Sequence, residues 1–230
     1  TSAKTDSLSI QNRKCFLCNE NLPDEQKGIL IDNELILLIN PYPIFPVHLT
    51  IAHTKHIKQE ILPYFDLFIE CTKKLCNQYT LLYNGPACGA SAPDHLHFQA
   101  GTKSYLQIED DFHQLKNEYG ISLFSNELVE VYSVDDTLRK FISIESNDSR
   151  ILFHTFSLLY KILEEESDSS KEPMMNIISN YEEDFGWRVI ILLRSKHRPD
   201  IYFTEGERKL LFSPAVVDVG GLCITPLEDD

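Results

Sequence analysis

His95, His97 and Gln99 alternate with Leu96 and Phe98. Residues two apart on a strand share a face, so the spacing predicts two imidazoles and an amide pointing the same way from one rigid element. Neutral imidazole is both a metal ligand and a nucleophile, and its ordinary pKa of about 6.5 leaves it largely unprotonated at neutral pH. A histidine that attacks phosphorus forms a phosphoramidate, which divides one hard displacement into two easier ones. Gln99 can donate its amide to a phosphate oxygen and stabilise the charge that develops there. Just ahead, Gly89-Ala90-Ser91 offers a hydroxyl and backbone amides as an anion cradle. The pattern predicts a nucleophile site for phosphoryl chemistry; the bland alternative is a strand whose polar side chains face water.

Cys15-Phe16-Leu17-Cys18 forms a second constellation, followed by the turn-rich run Asn19 to Pro23. Two thiolates on a tight turn reach one metal ion, although the pair alone also fits a redox motif or accidental spacing. Joined to a histidine at the end of another strand and one from the array, they make a Cys2His2 set suited to tetrahedral zinc. All four positions would then come from protein, which predicts a structural role.

The 230 residues suffice for one large domain or two small ones, each with its own core. A net charge of −14 opposes any role in coating nucleic acid, but a small phosphorylated ligand needs only a few local donors. No window approaches the roughly 20 apolar residues of a membrane helix. The first residue is Thr1 rather than Met, which suggests a trimmed N-terminus and leaves a leader peptide open. Six cysteines spread through a mid-sized chain read as intracellular, and a cytoplasmic protein is expected.

These groups must be positioned by a mixed set of elements. Residues 1–12 carry no pattern and are expected to be flexible. Strands are expected at 28–31, 34–39, 48–52 and 80–83, with a three-proline loop at 40–47 and a helix within 57–79 that Pro63 begins or bends. Cys71 and Cys76 fall in that helix's apolar pattern and read as core residues. A short helix should end at Gly120, two strands lie at 127–134 and 140–145, and 148–166 is helical. His113 and His154 read as packing or surface residues. A charged loop at 164–172 is the best candidate for disorder. A strand pair at 177–181 and 187–193 precedes the basic run Arg194 to Arg198, which is either a solvated face or a phosphate contact. Beyond a Gly220-Gly221 turn a last strand is expected. The strand followed by Arg194 to His197 faintly echoes the strand followed by Lys55 and His56.

Gly89-Ala90-Ser91-Ala92-Pro93-Asp94-His95-Leu96-His97-Phe98-Gln99 resembles the Gly-x-Ser-x-Pro-His-x-His-x-Gln signature of the histidine-triad superfamily, with Asp94 as an extra residue. The likeness is to its transferase branch: hexose-1-phosphate uridylyltransferases, dinucleoside tetraphosphate phosphorylases and GDP-hexose phosphorylases. Cys15 to Cys18 resembles the zinc-binding start of the uridylyltransferases, and Asn40 to His56 the superfamily's proline-loop segment. The whole is also similar to bacterial proteins built on the same Cys-x-x-Cys and Ala-Pro-Asp-His-x-His-Phe-Gln pattern. The match is good over residues 13–101 and loose beyond.

The resemblance implies an α+β fold, an antiparallel sheet with flanking helices whose second half is a degenerate repeat packed on the first. It divides the chain into a catalytic half, 1–120, and a degenerate half, 121–230. His97 is implied as the nucleophile that takes a nucleotidyl group, and Gln99 in place of a third histidine marks a transferase or phosphorylase. Asn40 matches a ribose-binding position; Ser91 and Asn84 match positions that contact phosphate or hold the loop. Cys15, Cys18, His56 and His95 match the zinc ligands, with His53 and His48 as alternatives for the fourth. The expected ligands are a nucleoside diphosphate sugar or dinucleoside polyphosphate together with phosphate, and neither nucleic acid nor membrane. Rival expectations are a dinucleoside polyphosphate hydrolase and a non-catalytic nucleotide-binding protein.

Overall fold

The computed structural model describes residues 7–167, 171–206 and 209–225. Ten strands form one antiparallel sheet: β1 (Gly28–Ile31), β2 (Leu35–Ile39), β3 (His48–His53), β4 (Tyr79–Asn84), β5 (His97–Thr102), β6 (Gly120–Ser125), β7 (Val129–Asp135), β8 (Lys140–Ser146), β9 (Met175–Glu182) and β10 (Gly186–Leu193). Their order is β1-β2-β3-β5-β4-β9-β10-β8-β7-β6. Taken inward from either edge the order is the same, 1-2-3-5-4 from one side and 6-7-8-10-9 from the other, and β4 pairs with β9 at the centre. The α+β antiparallel architecture with a repeated second half is therefore present.

Cross-strand partners share a face. One row runs Leu38, Thr50, Gln99, Leu82, Ile178, Ile190, Ser143 and Tyr132 from β2 to β7. Gln99 on β5 is thereby mirrored by Ile190 on β10. The opposite face is covered by α2 (Phe65–Leu75), which links β3 to β4, and α4 (Ser149–Glu165), which links β8 to β9. Phe65 and Phe156 stack at 3.8 Å between these helices, over Phe98, Ile51, Ile177 and Val189. Asp148 starts α4 by accepting the Arg150 and Ile151 N–H groups at 2.8 and 3.2 Å, satisfying donors the first turn would otherwise leave open.

On the face of the row, α3 (Gln107–Tyr119) and α5 (Val216–Val219) bury Leu82, Ile178, Ile190 and Leu192 under Ile108, Phe112, Leu115 and Val216. Over β2, β3 and β5 that face is walled instead by the segment around Phe16, Leu22 and Pro23. One half is largely filled by a helix, and the other holds a cleft of about 740 Å³.

Several expectations are corrected. Residues 7–12 form a short helix, α1 (Ser7–Asn12), while 1–6 lie outside the described residues. Edge strand β6 was not foreseen, because it exposes Ile121, Leu123 and Phe124 and so lacks a half-buried alternation. No final strand follows Gly221 among the described residues; Leu222 and Ile224 donate to Val217 O and Asp218 Oδ1 instead of to a sheet edge. The charged loop at 164–172 falls partly outside the described residues, but Glu172 is not solvated. Its carboxylate accepts from Tyr83 Oη at 2.7 Å and Ile61 N at 2.6 Å, and burial pushes its pKa up to about 7. The echo between 194–197 and 55–56 is also displaced: strand order matches β10 to β5, and β8 to β3.

Candidate functional site

His95 does not share the strand. It lies in the turn before β5, where its N–H donates to Ala92 O at 3.1 Å, and the strand proper begins at His97. The pleat therefore does not align the two imidazoles; the turn sends them to different surroundings. His95 Nδ1 is 3.3 Å from Cys15 Sγ and 3.6 Å from Cys18 Sγ, and His56 Nδ1 is 3.2 Å from Cys18 Sγ. The four ligand atoms all lie within 4.8 Å of one another. Tetrahedral zinc, with bonds of about 2.3 Å to sulfur and about 2.0 Å to nitrogen, sets a sulfur–nitrogen edge of about 3.5 Å, so the donor set and its spacing fit a metal ion. Burial and the adjacent Cys15 push the Cys18 thiol up to about 11, so a thiolate there calls for a cation beside it. His95 Nε2 donates to His53 O at 2.7 Å, which fixes Nδ1 as the lone-pair nitrogen. His53 thus serves the cluster by its carbonyl, and its ring Nδ1 accepts from Lys55 N at 3.0 Å.

His97 and Gln99 do share a face, and both line a cleft of about 740 Å³ with Asn40, Thr50 and Ser91. That volume suits a nucleotide-sized ligand. Apart from Gln26, the remaining lining is largely apolar, from Phe16, Leu17, Leu22, Pro23, Leu38 and Ile39 with Pro41 and Tyr42. His97 Nδ1 donates to His95 O at 2.8 Å, leaving Nε2 unprotonated, and burial lowers its pKa to about 4. Its backbone is clamped by Gln59, whose Oε1 accepts from His97 N at 2.8 Å while Nε2 donates to His97 O and Asn84 O.

Gln99 is oriented by His48. Ile44 N donates to His48 Nδ1 at 3.2 Å, so the ring proton sits on Nε2 and is given to Gln99 Oε1 at 3.3 Å. The Gln99 amide N–H groups are left for the cleft. Sequence reasoning weighed His48 only as a metal ligand; its true signal was its position on β3, in register beside β5.

Asn40 closes an Asx turn, accepting from Tyr42 N at 2.9 Å, and donates to Thr50 Oγ1. Asn84 stands apart from the cleft lining. Its Oδ1 accepts from Asn176 Nδ2 at 2.7 Å and Val216 N at 2.8 Å, tying the start of the 84–92 loop to α5. Gly89 takes φ +98°, and a Cβ there would meet Ala215 at 2.7 Å, so the loop needs glycine at this point. The basic run is not aimed at the cleft. Arg194 donates to Asn176 Oδ1 and to the carbonyls of Pro214, Lys196 and His197, and Arg198 donates to Ser213 Oγ.

The chain can be compared with known proteins on this geometry. Residues 1–102 match the family described as a domain of unknown function, DUF4922. No curated protein matches. Yeast Ap4A phosphorylase Apa2 superposes with a TM-score of 0.58 at 17% identity, over 86% of this chain and 66% of that one. The two share a fold. The same phosphorylase in complex with AMP matches at TM-score 0.50 and 15% identity, over 90% and 71%. A DUF4931 family protein from Bacillus cereus ATCC 10987 matches at 0.55 and 17%, over 84% of this chain and 96% of its own.

A second cavity of about 330 Å³ lies over β7, β8 and β10, the counterparts of β2, β3 and β5. There Arg188, two residues before Ile190, stands where His97 stands relative to Gln99. Its guanidinium bonds Glu145 at 2.8 Å and His113 at 3.1 Å, and Lys116 bridges Glu130 and Glu145. Both cations are thus paired with carboxylates, and strand β10 carries no histidine. No helix among the described residues is long and apolar enough to cross a membrane.

Proposed function

We propose that this protein is a nucleotide phosphorylase or nucleotidyltransferase acting on a dinucleoside polyphosphate or a nucleoside diphosphate sugar. The observation that carries the reading is the His97 ring, pinned through Nδ1 so that its unprotonated Nε2 belongs to a nucleotide-sized cleft that also holds the free amide of Gln99. The fold shared with Ap4A phosphorylase, and that enzyme's complex with AMP, support the same class.

In this reading His97 Nε2 attacks the α-phosphorus, forming an N–P bond as the bond to the bridging oxygen breaks and the remaining nucleotide or sugar phosphate leaves on that oxygen. A phosphate oxygen then attacks the same phosphorus, the N–P bond breaks, and His97 returns to its starting tautomer. Gln99 and Ser91 donate to the non-bridging oxygens, where charge builds. Asn40 faces the ribose, and the apolar walls exclude water from the base. Residues 1–120 act as the catalytic half and 121–230 as a degenerate half that supports it.

Cys15, Cys18, His56 and His95 would hold zinc, which with every position filled by protein supplies structure rather than reaction chemistry. Its thiolate ligands require a reducing compartment, in keeping with a cytoplasmic protein.

Incubation with α-labelled Ap4A and a panel of nucleoside diphosphate sugars tests the reading. Wild type should become labelled and His97→Ala should not, with release of label accelerated by phosphate. Turnover that is indifferent to phosphate would make the protein a hydrolase, and ligand binding without turnover would make it a binder.

A further inference from the structure

Asp94 is the residue by which this loop departs from the signature it otherwise resembles, and its carboxylate faces two ways. Oδ1 accepts from Arg13 Nη2 at 2.8 Å, and Oδ2 lies 3.7 Å from His56 Nε2. His56 turns its other nitrogen, Nδ1, to Cys18 Sγ. The carboxylate therefore lies within ion-pair distance of the nitrogen that points away from the Cys2His2 cluster, on the side where His95 makes its 2.7 Å hydrogen bond to His53 O. The two partners differ in need. His95 is fully buried, whereas the His56 side chain is 48% exposed and water competes for its outer nitrogen.

Arg13 belongs to the same unit. Its guanidinium sits 4.9 Å from the Phe16 ring centroid, with Nε and Nη1 buried and without hydrogen-bond partners. Among the described residues the guanidinium is held by its bond to Asp94 and by the ring beneath it. The carboxylate thus braces the start of the Cys15–Cys18 turn as well as the His56 ring.

We propose that Asp94 is a positioning residue for the metal centre: it fixes the His56 ring with Nδ1 toward the metal and, through Arg13, anchors the turn that carries both cysteines. Partners outside the ligand set that orient a metal-bound histidine typically change metal affinity by about 10- to 100-fold when removed.

The test is zinc affinity, measured by competition with a chromophoric chelator on wild type, Asp94→Asn, Asp94→Ala, Arg13→Gln and, as a charge control, Glu20→Gln, with far-UV circular dichroism to confirm folding. Asp94→Ala should bind zinc about 10- to 100-fold more weakly, Asp94→Asn should show most of that loss with unchanged shape, Arg13→Gln a smaller one, and Glu20→Gln none. Asp94→Asn, which keeps an acceptor for Arg13, should lower the melting temperature of the metal-free protein clearly less than that of the loaded one. The proposal is overturned if Asp94→Asn and Asp94→Ala hold zinc like wild type. It is overturned equally if Glu20→Gln weakens zinc as much, or if Asp94→Asn destabilises the metal-free protein as much as the loaded one.

Discussion

His48 Nε2 donates to Gln99 Oε1 at 3.3 Å, while His48 Nδ1 accepts from Ile44 N. The bond fixes which end of the Gln99 amide meets the cleft, and burial keeps His48 below its ordinary pKa and so neutral. Removing a preorganised donor from a charge-stabilising site costs about 10²–10³ in rate. Gln99→Ala is therefore expected to lower kcat on Ap4A by about that factor, and His48→Ala, which frees the amide to flip, by about tenfold with KM little changed. Steady-state phosphorolysis assays check both; an unchanged kcat in His48→Ala would dismiss the relay.

Glu172 makes stability depend on pH in an unusual direction for a carboxylate. Its pKa rises from 4.5 to about 7 on folding, chiefly by burial, so between these values the folded chain holds a proton that the unfolded chain has lost. Stability from this group is then greatest below about 4.5 and falls as pH rises toward 7, by an amount on the order of 3 kcal/mol. Glu172→Gln keeps an acceptor for Ile61 N and lets the Tyr83 hydroxyl reverse to accept. The variant is expected to melt above wild type at pH 8 and to converge with it by pH 5, as thermal scans at the two values will show.

Phe65 and Phe156 stack in parallel at 3.8 Å, one from each half of the chain. Both are buried, so Phe156→Ala removes ring contacts and leaves a cavity, at a cost of about 3–5 kcal/mol. Because β4 still pairs with β9 in one continuous sheet, the variant should unfold in one cooperative step. Coincident denaturant transitions by fluorescence and circular dichroism check this, and two separated transitions would mean that the halves unfold independently.

Much of this site was legible because its signals are local. Cys15 to Cys18, the 89–99 run and the proline loop each carry their chemistry within a few residues, and β9 and β10 announce themselves as apolar runs. What stayed hidden depends on register and on distant partners. Nothing near His95 says that the strand starts two residues later, and only the alignment of β3 with β5 turns His48 into a partner of Gln99. Glu172 sits in a run of charges whose solvated look is undone by Tyr83 and Ile61, 89 and 111 residues away. The role of Arg194 was hidden for the same reason, since its partners Asn176 and Pro214 lie on other segments.

Phe16 and Leu17 lie between Cys15 and Cys18 and also line the cleft, so the Cys2His2 cluster and the cleft share a wall. With zinc in place the turn would be pinned at both ends; without it, the turn keeps its hydrogen bonds, from Cys18 N–H to Cys15 O at 3.3 Å, Asn21 N–H to Cys18 O at 2.9 Å and Asn21 Nδ2 to Cys15 O at 2.9 Å, but loses the metal's clamp on both thiolates. A looser wall must be ordered again when a base enters, and that ordering cost is subtracted from affinity. AMP is therefore expected to bind zinc-stripped protein about tenfold more weakly than loaded protein, a coupling of about 1.4 kcal/mol. By reciprocity AMP should tighten zinc binding by the same factor. Calorimetry with AMP on both forms, and zinc competition with and without saturating AMP, measure the two sides of the cycle. Equal AMP affinities in two folded forms would show that the wall stands without the metal.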